Sequence, residues 1–307
     1  MKEKLTADVF PGQGKSYVGM GEQIYRRHQA VRDVFELASD QAGKNMARLC
    51  FSGPESELKS SDFSQIAVVT VSLAGLKANE CDGEEEADVV AGHSLGELTA
   101  AAAAGAIDSS DILKLAFYRG KLMRDQGQKV PGSMAALVGL TLGQVERIRG
   151  EVEEACGESV EIGNINTKDQ IVISGKKALV SVASAIAGKF VEARARVFPL
   201  DVGDGVASHS SLMRPIGPKF AEVLDTITVR DPKKLLISCL TGRPVANAEE
   251  LKENLVAELY STINWLAVVQ TMVEYGVSDA REIGPGKVLS SLINRINQAI
   301  NTRSLNL

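Results

Sequence analysis

The chain has 307 residues, of which 44% are hydrophobic and 24% charged, with a formal charge of -5 at pH 7. This is the composition of a globular protein of one or two domains with a substantial core, and mild acidity with scattered Lys and Arg excludes a nucleic-acid footprint. Four separated cysteines (Cys50, Cys81, Cys156, Cys239) form no CxxC pair and read as reduced thiols of a cytoplasmic protein, not disulfides or a zinc site, while neither a signal peptide nor a membrane span is expected from the charged N-terminus and short apolar runs.

Ala7 to Phe10 reads as a first strand, followed by the glycine-rich turn Pro11-Gly12-Gln13-Gly14-Lys15-Ser16 and a helix over about Gly21 to Arg27. The turn lacks Walker spacing, so no phosphate loop is expected. Helical periodicity runs from Ala30 to Leu49 and from Gln65 to Ala78, separated by the charged loop Gly53-Pro54-Glu55-Ser56-Glu57. A second acidic loop, Cys81 to Glu86, precedes the apolar run Asp88-Val89-Val90-Ala91-Gly92, which leads into His93-Ser94-Leu95-Gly96-Glu97 and a row of alanines. That pattern describes a strand turning sharply into a helix with Ser94 at the bend, the GxSxG nucleophile elbow. Its glycines permit close approach of strand and helix, and the first N–H groups of the helix offer donors to developing negative charge. A glycine-punctuated strand end without chemistry has the same spelling, so the motif alone decides nothing.

The elbow helix ends near Gly105, and Ser109 to Met123 forms the next, carrying Arg119. From Gly132 the pattern becomes strand (Met134 to Gly139), helix (Leu142 to Ala155), two strands (Val160 to Ile165, Gln170 to Ser174), helix (Lys176 to Phe190) and strand (Arg194 to Leu200). This βαββαβ order is that of a ferredoxin-like unit. It predicts a small subdomain over 132-199 inserted into a larger α/β unit made of 1-131 and 200-307. Beyond it come the loop Gly203-Asp204-Gly205, then Val206 to His209, a long helix to about Leu224, a strand at Leu235 to Leu240 and a helix from Ala248 to Tyr260. The chain closes with a strand at Ala280 to Ile283, the turn Gly284-Pro285-Gly286-Lys287 and a helix through Ile300. Strands alternating with helices predict an α/β fold with a mainly parallel sheet.

A serine nucleophile needs a base, and the chain has three histidines. His28 lies in the polar setting Arg26-Arg27-His28-Gln29 and is expected at the surface. His93 adjoins Ser94, but neighbouring side chains on a strand point apart, which suits orienting the elbow or a substrate better than taking its proton. His209 remains, after a glycine-rich loop at a strand-to-helix junction; a buried histidine capping the following helix is the alternative there.

Seven stretches run nearly end to end in one order: Phe10-Pro11-Gly12-Gln13-Gly14, Gly92-His93-Ser94-Leu95-Gly96-Glu97, Tyr118-Arg119-Gly120-Lys121-Leu122-Met123, Gly132-Ser133-Met134-Ala135-Ala136, Gln170-Ile171-Val172-Ile173-Ser174-Gly175, Ser208-His209-Ser210-Ser211-Leu212-Met213 and Glu282-Ile283-Gly284-Pro285-Gly286-Lys287. With them the sequence resembles the malonyl-CoA:acyl carrier protein transacylase family of fatty acid and polyketide synthesis. The resemblance implies an α/β-hydrolase-like catalytic subdomain with the ferredoxin-like insert. It implies Ser94 as the group that attacks a thioester and His209 as its base, the histidine being oriented by the backbone carbonyl of Glu258, where the family usually has Gln. Backbone N–H groups of Gln13 and Leu95 would hold the oxyanion, and Arg119 would pair bidentately with the free carboxylate of a malonyl group. His93 would support substrate binding, with Arg196 a further candidate for contacting a donor or carrier phosphate. The implied partners are malonyl-CoA and an acyl carrier protein bearing the phosphopantetheine; no metal, redox cofactor, nucleic acid or membrane is expected, and the chain is expected to be a monomer.

Three features depart from the family's usual pattern. Lys15-Ser16 stand where Ser-Gln is usual, which puts a positive charge near the presumed oxyanion loop. The loop through Gly203-Asp204-Gly205 is about two residues longer than in the fatty-acid enzymes. Ser208 before the histidine fits malonyl or methylmalonyl, while Leu95 leans toward malonyl. An acyl hydrolase of the same fold and an acyltransferase for another extender unit are the alternatives, and retention of Arg119 argues against the hydrolase.

Overall fold

Five short segments drawn from both ends and the middle of the sequence converge on one sheet. The computed structural model describes residues 4–14, 16–190, 195–200 and 202–307. Its strands are β1 (Leu5–Phe10), β2 (Val89–Gly92), β3 (Gly132–Val138), β4 (Glu161–Thr167), β5 (Gln170–Lys176), β6 (Arg196–Leu200), β7 (Leu235–Ile237), β8 (Ile263–Asn264), β9 (Val277–Glu282) and β10 (Asn301–Ser304). The first sheet has the order β10-β9-β1-β2-β7, with every neighbouring pair parallel. A parallel sheet is covered on both faces, and the alternation along its central strands divides accordingly. Ala7, Val9, Val89 and Ala91 pack into one core with Trp265 and Met272. Phe10 and Val90 enter the other, with the helices Gln29–Ala42, Ser61–Cys81 and Ser109–Lys129. The expected α/β fold with a mainly parallel sheet is observed.

The second sheet has the order β6-β3-β5-β4-β8. β3 pairs antiparallel with β5 and β6, and β4 antiparallel with β5. Those four strands and the helices Leu142–Cys156 and Lys177–Ala187, packed around Leu137, Val145, Ile173 and Val180, follow the βαββαβ order read from the sequence. The fifth strand was not foreseen: β8 comes from the chain beyond the insert and adds parallel to β4 through Asn164 and Ile165. It stitches the two sheets together.

Several boundaries differ from the sequence expectation for local reasons. The helix expected over Ala30 to Leu49 ends at Gly43, whose φ of 61° is left-handed, and restarts behind Asn45, whose side chain accepts from Arg48 N at 2.7 Å. The long helix after His209 is a 3-10 turn, Ser211–Ile216, that contains Pro215, followed by a regular helix at Gly217–Leu224. The Trp265–Tyr275 helix and β10 were not anticipated. Of the strand expected from Arg194, residue 194 lies outside the described residues.

One contact positions everything that follows. A Cβ at Gly96 would lie 2.1 Å from the Phe10 carbonyl oxygen, and one at Gly92 would lie 1.9 Å from the Gly96 carbonyl carbon, so the elbow and the end of β1 touch through bare backbone. Gly96→Ala is therefore expected to lower stability by at least about 3 kcal/mol, read as a fall in the urea unfolding midpoint; an unchanged midpoint would contradict the close approach.

Candidate active site

In open parallel sheets, ligand sites form beyond the carboxyl ends of the strands, and here three of those ends bring the polar residues together. β1 runs into the loop that carries Gln13, β2 into Ser94, and β7 into Cys239. Ser94 adopts φ +52°, a left-handed conformation that a non-glycine residue holds only when its surroundings impose it. The side chain is 9% exposed, and the turn is closed by Gly96 N donating to His93 O and Glu97 N to Ser94 O. Among the described residues, the backbone N–H groups of Leu95 and Gln13 donate to no protein acceptor. Two such donors on adjoining loops, one at a helix N-terminus, could stabilise negative charge developing between them.

Beside the serine stands a buried guanidinium. Arg119, 1% exposed, reaches in from the Ser109–Lys129 helix. Its Nη2 donates to Ser94 Oγ at 3.1 Å and to Glu258 Oε1 at 3.2 Å, and its Nη1 donates to Gln65 Oε1 at 2.8 Å. Gln65 Nε2 donates in turn to Gln13 Oε1 at 3.0 Å, and Gln13 Nε2 to the Val202 carbonyl at 3.0 Å. The elbow serine and the oxyanion loop are thus joined by one chain of side-chain hydrogen bonds. Arg119 Nε has no partner among the described residues, so one N–H of the guanidinium is open, although its charge is already matched by the Glu258 carboxylate.

His209, 3% exposed, lies at φ +61°. Its Nδ1 is 2.6 Å from the Glu258 carbonyl oxygen; a carbonyl only accepts, so Nδ1 carries the proton and Nε2 of the neutral ring is the free base. Burial, with the nearby charge of Arg119 adding to it, pushes the imidazole down to about 3. A histidine that stays neutral throughout the physiological range is available to take a proton. Among the described residues no hydrogen bond joins Ser94 and His209; Ser94 Oγ accepts from Arg119, which also holds the Glu258 carboxylate, while His209 Nδ1 donates to the Glu258 carbonyl.

A family model described as an acyl transferase domain matches residues 8–295. The chain belongs to the acyl transferase domain family. It is similar to the malonyl CoA-acyl carrier protein transacylases of Escherichia coli strain K12, at 35% identity over 98% of this chain and 95% of that one, and of Bacillus subtilis, at 34% over 96% and 92%. Among solved structures it resembles the malonyl-CoA:acyl carrier protein transacylase of Xanthomonas oryzae, with a TM-score of 0.92 and 31% identity over 100% of this chain and 96% of that one. It also resembles a malonyl-transacylase in complex with its type II polyketide acyl-carrier protein, with a TM-score of 0.92 and 34% identity over 99% and 96% of the two chains.

In this acyl transferase domain the remaining expected site residues divide. His93 is half-buried beside Trp265, and its Nε2 donates to Asn166 Oδ1 at 2.9 Å, so it joins the elbow to β4; desolvation lowers its pKa. Leu95 is fully buried, and Ser208 lies beside His209, its carbonyl accepting from Ser174 Oγ at 2.7 Å. Arg196 is not brought to the others: it is exposed on β6, its guanidinium 5.8 Å from the Phe198 ring. His28 lies at the rim of the helical layer, 3.3 Å from Asp82. Lys15 lies outside the described residues. The Gly203-Asp204-Gly205 loop locks onto the Ser61–Cys81 helix, where Asp204 Oδ2 accepts from Ser61 N at 2.8 Å. A cavity of about 190 Å³ lies there, lined by Gln13, Ser16, Val202 and Gly203 among others.

Sequence reasoning missed Gln65, Asn166, Glu97, Cys239 and the side chain of Glu258. Gln65 had a signal, an amide at the head of the apolar run Ile66-Ala67-Val68-Val69, and so did Asn166, a polar residue next to Ile165. Glu97, Cys239 and Glu258 place ligand atoms within 4.8 Å of one another and form the one such grouping among the described residues. Its chemistry suits a shared proton better than a cation. Arg119 already presses a positive charge on Glu258, and burial with the two carboxylates pushes the Cys239 thiol well up, where it keeps its proton and is no ligand.

The unfolded histidine titrates near 6.5, whereas folded His209 stays neutral down to about 3. Between those values the unfolded chain binds the extra proton, so the stability tied to a neutral His209 is complete above about pH 6.5 and is lost as the pH falls. The urea midpoint is expected to drop between pH 7 and pH 4.5, and His209→Gln to flatten part of that slope; parallel slopes for the two proteins would show that the imidazole is not held neutral.

Proposed function

We propose that the protein moves a malonyl group from coenzyme A to the phosphopantetheine thiol of an acyl carrier protein through an ester on Ser94. The observation that carries this reading is the buried Arg119 guanidinium 3.1 Å from Ser94 Oγ. A cation placed at the reacting oxygen favours an acyl group that ends in a carboxylate, and Arg presents the fork that such a group matches. The named activities of the similar proteins support the same reading.

In the first half-reaction Ser94 Oγ adds to the thioester carbonyl while His209 Nε2 takes the hydroxyl proton. Negative charge that develops on the carbonyl oxygen meets the N–H groups of Gln13 and Leu95. Collapse breaks the carbon–sulfur bond, and the imidazolium returns the proton to the departing coenzyme A thiolate. In the second half-reaction His209 takes the proton of the carrier's thiol, whose sulfur attacks the ester, and Ser94 recovers its hydroxyl. Glu258 O holds the imidazole in the required tautomer, and His93 steadies the elbow through Asn166. Arg196 and Ser208 belong to this reading as contacts for the carrier phosphate and the acyl chain. We further assign 1-131 and 200-307 to a catalytic subdomain and 132-199 to a small one, and infer a monomer that acts in the cytoplasm without metal or redox cofactor. Among the described residues no helix is long and apolar enough to cross a membrane.

Two experiments test this function. Ser94→Ala is expected to abolish the malonyl-enzyme adduct in intact-mass spectra, and an adduct that persists on the variant would remove the nucleophile. Arg119→Ala is expected to lose malonyl transfer at least about a hundredfold more than acetyl transfer, in line with loss of a buried charge-assisted pair; equal losses would remove the carboxylate clamp.

A further inference from the structure

Arg119 already has a carboxylate. Glu258 Oε1 lies 3.2 Å from Arg119 Nη2 with both side chains 1% exposed, and it shares that nitrogen with Ser94 Oγ. A malonyl group on Ser94 would bring its own carboxylate to the same guanidinium. Two carboxylates and one guanidinium, all out of water, leave a buried negative charge without a partner.

Besides Arg119, no cation faces Glu258 among the described residues. Glu97 faces it from the Gly96–Ala103 helix, the Cys239 thiol from the end of β7 with Sγ donating to Glu258 Oε2 at 3.5 Å, and Arg119 from the Ser109–Lys129 helix. His209 sits on its main-chain carbonyl, and His93 lies beyond, with burial lowering the pKa of both rings. Arg119 is therefore the one cation in the set. Glu97 is fully buried, and its Oε1 has no hydrogen-bond partner, so a second carboxyl stands beside Glu258 with an open acceptor.

We infer that Glu258 is a specificity-determining stand-in for the free carboxylate of the substrate: when ionised it occupies Arg119 and bars a malonyl group, and malonyl loading requires Glu258 to take up one proton. The inference rests on the malonyl reading above. Burial, partly offset by Arg119 and reinforced by the like charge of Glu97, raises the Glu258 carboxyl to about 8. Below that pH the protonated side chain leaves Arg119 to the substrate; above it the ionised one competes. A glutamine at this position, usual in the family that the sequence resembles, cannot ionise and would accept malonyl at any pH.

The test measures Ser94 ester formation from malonyl-CoA and from acetyl-CoA between pH 6.5 and 9.5 on the full chain, by rapid quench and intact mass. For the natural protein the ratio of malonyl to acetyl loading rates is expected to be level at neutral pH and to fall, above the value of about 8 for Glu258, by about tenfold for each further pH unit. For Glu258→Gln the ratio is expected to stay level. A level ratio in the natural protein, or the same fall in the variant, overturns the inference. A second measurement needs no variant: at pH 8.5, where a carboxyl of about 8 is about three-quarters ionised, malonyl loading should take up about three-quarters of a proton more than acetyl loading, because the serine and coenzyme A thiol steps are common to both. Equal proton uptake overturns the inference as well. A malonyl ester that forms with a level ratio sinks this inference alone, whereas no malonyl ester on Ser94 at any pH sinks it together with the function from which it follows.

Discussion

The contact on which the site depends is the bare-backbone approach of Gly96 to the Phe10 carbonyl at the carboxyl ends of β1 and β2. Phe10 O also accepts from His93 N at 3.0 Å, so the end of β1 is held to the elbow on both sides of Ser94. Three consequences follow from that one approach. Ser94 is forced into a left-handed conformation, and among the described residues the Leu95 N–H is left without a partner and the Gln13 loop lies beside it with a second free donor. Strain of this kind costs on the order of 1–3 kcal/mol per residue and persists only where the surroundings over-determine it. Here the apolar packing of β1 and β2 on both faces supplies that restraint.

Charge burial is the second constraint, and it opposes the first in its effect on stability. One guanidinium, two carboxyls, a thiol and an imidazole sit together almost without water. Each responds in the direction that burial dictates: the imidazole is held neutral, the carboxyls and thiol are held toward their protonated forms. Arg119 is the one cation among them and is the point around which the others are arranged. Replacing such a cluster by well-packed apolar side chains is often neutral or stabilising, whereas removing one member strands its partner at about 3–5 kcal/mol. The stability of the fold therefore gives no reason for the cluster.

The two sheets divide the labour. The parallel sheet positions the elbow, the oxyanion loop and Cys239 through its strand ends, while the second sheet contributes Asn166 and Ser174, which steady His93 and the Ser208 carbonyl. β8 carries the chain from Glu258 onto the edge of β4, so the residue that orients His209 is anchored to both sheets within a few residues. The Glu282 carboxylate of the last matched motif plays a structural part: its oxygens accept from Leu289 N and Ser290 N at 3.0 and 2.8 Å and cap the Val288–Ile296 helix.

What the sequence determined by itself was whatever local pattern can encode: the alternation of strands and helices, the βαββαβ insert and the GxSxG bend, with His209 left as a candidate base against a buried structural histidine. Periodicity and glycine spacing act over a few residues, so they are legible without a fold. Motif order added Arg119, Gln13 and the main-chain role of Glu258. Only the tertiary structure could decide which side chains meet. Gln65 joins Arg119 to Gln13 across 52 positions of sequence, and Glu258 reaches Arg119 across 139. β8 is two residues long and takes its identity from the partner it pairs with. The carboxyl of Glu258 carried no local signal at all, because its pKa and its hold on Arg119 arise from burial and from charges contributed by other elements, and burial is a property of the packed chain.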